Sequence, residues 1–530
     1  MSRRLREGQR RRLARETRRL PVAAGGDLRV AVAYPNEYRV GMANLGFHVV
    51  LEQLLRAGVR VDRVFLPSDK EAVEHRRSRT PLCTLEQGIP LRELDLLLFS
   101  LSFEPDYVGL VSMLGLGGVE ALARRREGGP LVVAGGIAPT LNPEPIAPFC
   151  DLIGIGEAEA LLPALLERAR DGVEALAGAP GWYLPAGGPH PVQRQHAPLE
   201  RPALPVVLSP TSAFSSHVDV EISRGCRWRC RFCAAGHVVT PYRELGLDAL
   251  EEAIAWGVAQ RGRVGLVGTD VSDHSGLEAI ANRIFALGGE PALPSFRVES
   301  VARRSGAAAR LLARRPPQSL TLAVEASSEG LRCALGKRLS HEKLLRAAAH
   351  AAEVGVQRLR IYLLVGIPGE TWSEIEGIAP LVQEIAGVGP PGRLTVSINA
   401  LVPKPGTPLQ WEPAPSREHL RRARALLRRG LRGERVELQF ESPDWTRWQY
   451  LLSQGGREAA EWVIVAAEHG WRRALARAEG DAPLLGAGRQ PGDPLPWDHV
   501  EHGPPREALL RERERCLARE YVPPDRESSS

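Results

Sequence analysis

Cys226, Cys230 and Cys233 lie within eight residues, in the order C-x-x-x-C-x-x-C, with the aromatic Phe232 directly before the last. Three thiolates so close together can hold three corners of one metal cluster, and iron–sulfur clusters are normally held by Cys thiolates. A structural zinc site would want a fourth Cys or His nearby, and His237 is the one candidate. Three ligands on a 4Fe–4S cluster leave one iron open, where a cofactor or substrate can bind. The other four cysteines, Cys83, Cys150, Cys333 and Cys516, are scattered. An odd set with three clustered members points to a metal site in a reducing compartment, hence a cytoplasmic protein, rather than to a disulfide framework.

The elements that must carry this loop can be read along the chain. At 530 residues the length suggests about three domains. Its 43% hydrophobic and 25% charged residues are those of a globular protein. No apolar run reaches the roughly 18 residues of a membrane-spanning helix, so no span is expected. The N-terminus is Arg-rich and has no apolar stretch of a secretory signal. Residues 1–26 form an arm whose first 20 residues hold nine arginines and two glutamates, while the whole chain carries a net charge of +6. The body is therefore near neutral. Such an arm suits RNA or an acidic surface, or is simply solvated.

From residue 27 to 170, short apolar runs (28–35, 96–103, 131–136, 151–157) alternate with longer amphipathic ones (44–57, 105–126, 157–170). This is the pattern of a doubly wound, Rossmann- or flavodoxin-like parallel sheet. Ligands on such sheets bind beyond the carboxyl ends of the strands, which here carry Ser100-Leu101-Ser102, Gly135-Gly136 and Gly154-Ile155-Gly156-Glu157. Residues 171–217, rich in Pro, Gly and Ala, read as a connection. From 218 to 412 the alternation resumes over six candidate strands (218–223, 263–269, 295–300, 320–326, 358–366, 394–401), too few residues for a complete TIM barrel of roughly 250. A partial (β/α)6 barrel is predicted, with its site at the strand ends and the cysteine loop after the first strand. Residues 413–530 read as a helical region with five tryptophans from Trp445 to Trp497, ending in a disordered PPDRESSS tail.

The cysteine spacing resembles the signature of the radical S-adenosylmethionine (SAM) superfamily. The flanks Arg224-Gly225-Cys226 and Phe232-Cys233-Ala-Ala-Gly236 are similar to the loop of a subgroup that begins with a cobalamin-binding-like domain. The resemblance extends over nearly the whole chain after the arm, including the Asn-Pro-Glu-Pro segment (142–145), IGEAE (155–159) and the stretch 495–516. It implies a 4Fe–4S cluster on Cys226, Cys230 and Cys233, with SAM on the open iron. An electron then cleaves SAM to a 5′-deoxyadenosyl radical, which calls for an external donor such as flavodoxin or ferredoxin.

By the same resemblance Phe232 lies near the adenine. The family's Gly-Gly-Glu after the second strand is replaced by Gly268-Thr269-Asp270. Glu325 ends the fourth strand like the family's E-S-G segment, and Arg338 stands where relatives place a basic residue for the SAM carboxylate. Gly366 opens a G-x-P-G-E turn, and Asn399 and the PKPGTP loop (403–408) follow the sixth strand on the adenine side. Ser100, Ser102, Gly135 and Gly136 are the expected contacts of cobalamin. The D-x-H-x-x-G motif that supplies a lower cobalt ligand is absent, and His48 does not fill its place.

The reading is thus a radical SAM enzyme acting, with cobalamin, in methyl transfer or radical rearrangement on an unknown small molecule or RNA. Two alternatives stand beside it. A methylthiotransferase-like RNA-modifying enzyme would need three N-terminal cysteines, and only Cys83 and Cys150 lie there. A non-catalytic iron–sulfur protein that binds RNA through its arm would not need SAM-site segments on several strands.

Overall fold

The computed structural model describes residues 2–21, 28–168, 172–293, 295–432, 435–481 and 488–520. The expected disordered tail and the last part of the arm (22–26) lie outside the described residues.

Five apolar runs form parallel strands, β1 (Val30–Tyr34), β2 (Val61–Phe65), β3 (Leu96–Ser100), β4 (Leu131–Gly135) and β5 (Leu152–Gly154), joined by an antiparallel β6 (Trp182–Tyr183) from the connecting segment. Their order, β2-β1-β3-β4-β5-β6, is doubly wound, with the reversal between β1 and β3. Strands β1, β2 and β3 are buried at every residue, because helices cover both faces of the sheet. Sequence periodicity missed β2, since VDRVF carries two charges. Both are buried and satisfied. Asp62 accepts from Thr84 and Gln87, and Arg63 pairs with Glu16 at 2.6 Å and Glu86 at 2.7 Å.

Glu16 belongs to the N-terminal arm, which is a docked element. Residues Arg3–Leu13 form a helix capped by Ser2, and Thr17–Arg18 pairs with Val207–Leu208. Arg12 pairs with Glu71, Arg18 with Glu86 and Arg19 with Glu52. The expectation of a solvated arm is corrected for residues 2–21, because these ion pairs and the buried Leu5 fix the arm on the sheet. Arg4, Arg6, Arg10, Arg11 and Arg15 remain on its exposed side.

The central region holds two parallel sheets. β7 (Val218–Glu221), β8 (Arg263–Val267) and β9 (Glu290–Ala292) form one, and β10 (Ser319–Glu325), β11 (Arg358–Val365), β12 (Leu394–Ala400) and β13 (Val436–Phe440) the other. Among the described residues a single parallel bridge, Phe296 to Leu322, joins them. Two expectations are corrected here. The third strand is β9 rather than 295–300, where Val298–Ala302 is helical. And β13 lies in the stretch read as wholly helical, paired along β12 from Val436 to Phe440, because the Arg-rich helix Arg417–Gly430 is itself a crossover between parallel strands.

The C-terminal helices close onto the first sheet. Trp448, Leu451, Trp462 and Val463 share one core with Leu110, Leu114 and Phe149. The Asn-Pro-Glu-Pro segment serves this packing: Asn142 donates to the carbonyls of Ser453 and Gly455, and Glu144 pairs with Arg457 at 2.7 Å.

Candidate functional site: a cysteine loop between two sheet ends

β7 delivers the chain into a short ribbon, Ser223–Arg224 against Arg243–Glu244, and then into the cysteine loop. Gly225 sits at φ +81°, and a Cβ there would come within 2.4 Å of the Val239 carbonyl oxygen, so only glycine makes this turn. Arg227, Trp228, Arg231 and Phe232, between the cysteines, are each tied to a different neighbour. Arg227 lies 4.4 Å over the Tyr242 ring. The Trp228 indole donates to Asp270 at 2.5 Å, with the Arg297 guanidinium 4.0 Å above its ring. Arg231, 1% exposed, pairs with Glu512. Phe232 packs against Leu331, Leu335, Ile367 and Leu401. The three thiols are free and partly exposed, on a loop fixed by its flanks.

The donor set fits an iron–sulfur cluster better than a zinc ion. Among the described residues, no three His, Cys, Asp or Glu side chains converge where one metal ion would sit. His237 is buried, and its Nε2 lies 3.2 Å from the Cys230 carbonyl oxygen, to which it donates. Burial holds its pKa down at about 4. The zinc reading therefore loses its fourth ligand. Burial pushes the Cys226 thiol up to about 12, with Cys233 and Cys230 adding to the shift, so the three sulfurs are close enough to feel one another. The Cys230 thiol is likewise pushed up by burial, with Lys337 and Arg297 opposing and Glu325 and Glu299 reinforcing the shift. Two cations and two anions thus surround the loop's centre. Buried Ser223 Oγ, Arg297 Nε and Glu299 Oε2 make no hydrogen bond, Arg297 Nε having only the Asp270 carboxylate at 4.0 Å. Unpaired buried polar atoms are costly, so these three suit a polar ligand in the same space.

The strand ends around the loop can be compared with expectation one by one. Gly268 follows β8, and a Cβ there would meet Ser223 Oγ at 2.3 Å; Thr269 is exposed. Asp270 is buried and accepts from Ser272 Oγ as well as from the Trp228 indole, so its carboxylate anchors the loop. Glu325 ends β10 at φ +71°, in the left-handed region, after a bulge. Its partner is Lys337, 3% exposed, at 3.1 Å; the same ammonium reaches the Ala323 carbonyl oxygen. Arg338, the basic residue singled out from the sequence, is exposed. One position separates the two, and the turn at Gly336 (φ +75°) is what sends the lysine inward.

After β11, Gly366 at φ +78° donates its N–H to Glu370 at 2.7 Å, and burial pushes that carboxyl up to about 7. Asn399, beside Leu364 in register, is exposed. Sequence reasoning missed Lys337, Arg297, Glu299 and Arg231. Arg231 alone carried a signal, its place between two of the cysteines.

On the other side of the ribbon lies a cavity of about 350 Å³ at the carboxyl ends of β3, β4 and β5. Ser100, Ser102, Gly135, Gly136 and Gly154 line it from the sheet, and Glu221, Arg224, Val238 and Val239 from the cysteine-loop region. Gly136 is a structural requirement: it sits at φ +113°, where a Cβ would meet the Leu101 carbonyl oxygen at 2.4 Å. Asn44 caps the helix Leu45–Arg56 through Phe47 N and donates to Ser102 Oγ at 3.0 Å. His48 is turned away, with Nε2 against the Met42 carbonyl and Nδ1 accepting from Val206 N. No histidine lines this cavity among the described residues. Arg224 closes its barrel side through Glu221, Glu157 (2.9 Å) and Glu159 (2.8 Å). Burial raises the Glu157 pKa, but Arg243 and Arg224 more than offset it and hold the carboxylate ionised.

Comparison with known proteins follows this division. The chain is 24% identical to the uncharacterized protein MJ0966 of Methanocaldococcus jannaschii, over 82% of this chain and 90% of that one. Among solved structures, the cobalamin-dependent S-adenosylmethionine radical enzyme OxsB aligns over 85% of this chain at 13% identity and a TM-score of 0.36. This chain covers 56% of OxsB, so it spans little more than half of that protein. The coproporphyrinogen III oxidase HemN of Escherichia coli, a radical SAM enzyme, aligns over 50% of this chain and 74% of its own length at 14% identity and a TM-score of 0.28. Residues 46–180 match the family described as "Radical SAM proteins, N-terminal" and residues 220–382 match the "Radical SAM superfamily". The two matches take in both sheet ends and the cysteine loop between them, and the chain belongs to the radical SAM superfamily, an enzyme of the kind that uses a 4Fe–4S cluster and SAM.

Proposed function

We propose that this protein is a two-cofactor radical SAM enzyme, with the cluster and SAM at the barrel's strand ends and cobalamin at those of the N-terminal sheet. In this reading residues 27–170 form the cobalamin domain, 171–217 the connection and 218–412 the radical SAM domain, with β13 extending the last beyond its sequence boundary. The observation that carries it is the cavity floored by Gly135, Gly136 and Gly154, whose opposite wall is formed by Arg224 and Val238 on the flank of the cysteine loop. About 350 Å³ is within the range of ligand pockets, and it takes one end of a ligand as large as cobalamin.

The roles of the chain's own residues follow from their placement. Cys226, Cys230 and Cys233 would hold the cluster, with Lys337, Glu325, Arg297 and Glu299 the charged side chains nearest the loop's centre. SAM carries a carboxylate, an ammonium and a sulfonium, and a ring of both signs can satisfy all three where water is scarce. Lys337 or Arg297 takes the carboxylate in place of Arg338, and Glu325 faces the cationic groups. Phe232, Gly366 and the exposed Asn399 border the adenine side. Gly268 and Thr269 contribute backbone, and Asp270 holds Trp228. Ser100 and Ser102 offer hydroxyls to the cobalamin tail. When bound, the cluster supplies the electron that cleaves SAM, and cobalamin supplies a methyl carrier. The reaction is methyl transfer or radical rearrangement on a substrate held between the two sites.

A methylthiotransferase-like role is disfavoured, because Cys83 and Cys150 are both buried, the latter in the first domain's core, and no third N-terminal cysteine accompanies them. The test is anaerobic reconstitution with iron, sulfide and hydroxocobalamin, then desalting, optical spectra and metal counting. About four irons per chain, retained cobalamin, and 5′-deoxyadenosine released with dithionite and SAM are expected. Changing Cys226, Cys230 and Cys233 together to Ala should abolish the iron and the cleavage. Iron without cobalamin would leave the radical SAM assignment and remove the second cofactor.

A further inference from the structure

We infer that the C-terminal helix Arg506–Leu517 and the residues just after it form a strap that holds the cysteine loop and the G-x-P-G-E turn in their binding arrangement. Arg231 and Arg519 are its positioning residues. The inference rests on the radical SAM reading for the identity of the site, and nothing in the cysteine motif itself asks for such an element.

Three anchors fix the strap, and each lands on the site. The first is Arg231, which stands between Cys230 and Phe232 and is 1% exposed. Its Nε donates to Glu512 at 2.9 Å, and its Nη1 donates to the carbonyl oxygens of Cys333, Ala334 and Glu520. Glu512 is the carboxylate that answers this buried charge, and Glu512 and Glu520 both come from the strap. A buried cation that loses its counter-ion is strongly unfavourable, so without the strap Arg231 must leave its place and carry the adjacent cysteines with it.

The second anchor is Arg519, at φ +59° just past the helix end, a left-handed conformation uncommon outside glycine. Its guanidinium grips Glu374 through two bonds of 2.7 and 2.9 Å and donates to the Gly369 carbonyl at 2.7 Å. Gly369 belongs to the turn after β11. Glu374 also accepts from Ser328 Oγ at 2.8 Å, three residues beyond Glu325. One planar fork therefore ties together the segments that follow β10 and β11. The third anchor is apolar: Cys516, fully buried, packs with Leu331, Leu335, Ile367 and Leu401, the same cluster that Phe232 rests on.

The outer side of the helix is open, with Leu517 45% exposed. The strap thus makes its charged and apolar contacts to the site from one side. Binding geometry at the cysteines then depends on residues 281 positions later in the chain, and that at the adenine-side turn on a residue 150 positions later.

The test uses full-length, anaerobically reconstituted protein carrying E512A, R519A or R519K. The readouts are iron per chain, SAM affinity, and the change that SAM causes in the electron paramagnetic resonance of the reduced cluster. E512A should lose iron on desalting, and R519A should weaken SAM binding roughly tenfold, the scale of a lost charge-assisted bond, and blunt the SAM-induced spectral change. R519K, which keeps one point-charge contact, should recover part of both. Thermal unfolding separates a loose site from a lost fold, and the Arg519 pair carries the test if E512A does not fold. Wild-type protein with cluster and SAM bound, alongside unchanged affinity and spectra in R519A and E512A, overturns the strap. Wild-type protein that holds no iron overturns the reading beneath it, and the strap with it.

Discussion

The two sheet ends that face each other across the Ser223–Arg224 ribbon offer opposite chemistry. At the carboxyl edge of the first sheet stand Ser100, Gly135 and Gly154, so the floor of the cavity is backbone and small side chains. At the corresponding edge of the central sheets stand Asp270, Glu325 and Glu370, with Lys337 and Arg297 beside them. The strands beneath differ too. β1 and β3 are buried at every residue, whereas β10 and β11 bury alternate residues and leave the others partly open. In the proposed function the same position, the end of a parallel strand, serves as the ligand site of both halves. On that proposal, what sits there decides the ligand: absent side chains would admit the bulk of a large cofactor, and paired charges a small zwitterion.

Three perturbations would break or sharpen this contrast. The largest effect is expected from Gly135→Leu. A Cβ at Gly135 meets nothing closer than the Gly154 carbonyl oxygen at 3.7 Å, so the backbone accepts it and the side chain projects into the cavity. Cobalamin retained after desalting should fall by tenfold or more, the scale of overpacking a fitted space, while iron content stays at the wild-type level. Undiminished retention would show that the glycine floor is not where the cofactor lies.

Glu325→Ala strikes the charged end. It removes a carboxylate from the ring and leaves the Lys337 ammonium buried beside one carbonyl. SAM binding should weaken roughly tenfold, with a stability loss of about 1–3 kcal/mol from the orphaned ammonium. Isothermal titration and thermal unfolding measure the two effects, and cobalamin retention should not change. Wild-type SAM affinity in this variant would remove Glu325 from the site.

The smallest effect concerns Glu370. Burial raises its carboxyl to about 7 from an ordinary 4.5, so the folded protein favours the protonated form. Its contribution is full at low pH and is lost as pH rises from about 4.5 through about 7, by at most about 3 kcal/mol at roughly 1.4 kcal/mol per pKa unit. Glu370→Gln should flatten the fall in melting temperature between pH 5 and pH 7.5 relative to wild type. Parallel curves for the two proteins would sink this assignment.

The sequence by itself determined the chemistry of the loop and most of the sheet plan. Cysteine spacing is a local property, set by the few bonds between ligands, and buried parallel strands announce themselves as apolar runs such as 96–100 and 131–135. β2 escaped because its two buried charges, Asp62 and Arg63, look like solvent-facing residues until the partners that satisfy them are known. Those partners come from other segments, Thr84 and Gln87 for Asp62 and, for Arg63, Glu86 from the same loop and Glu16 from the arm. The same limit explains why Arg338 was chosen over Lys337: the left-handed Gly336 turns one residue inward and the next outward, and composition does not record that rotation.

Tertiary structure alone decided which charges meet. It gave Asp270 to Trp228 and Arg519 to Glu374, put a buried Arg231 under Glu512, and set the arm's arginines against the first sheet. Such pairs join residues tens to hundreds of positions apart. A buried charge is tolerated only when the whole fold brings its partner to it. Spacing along the chain can announce a ligand set, but it cannot announce the neighbours that hold that set in place.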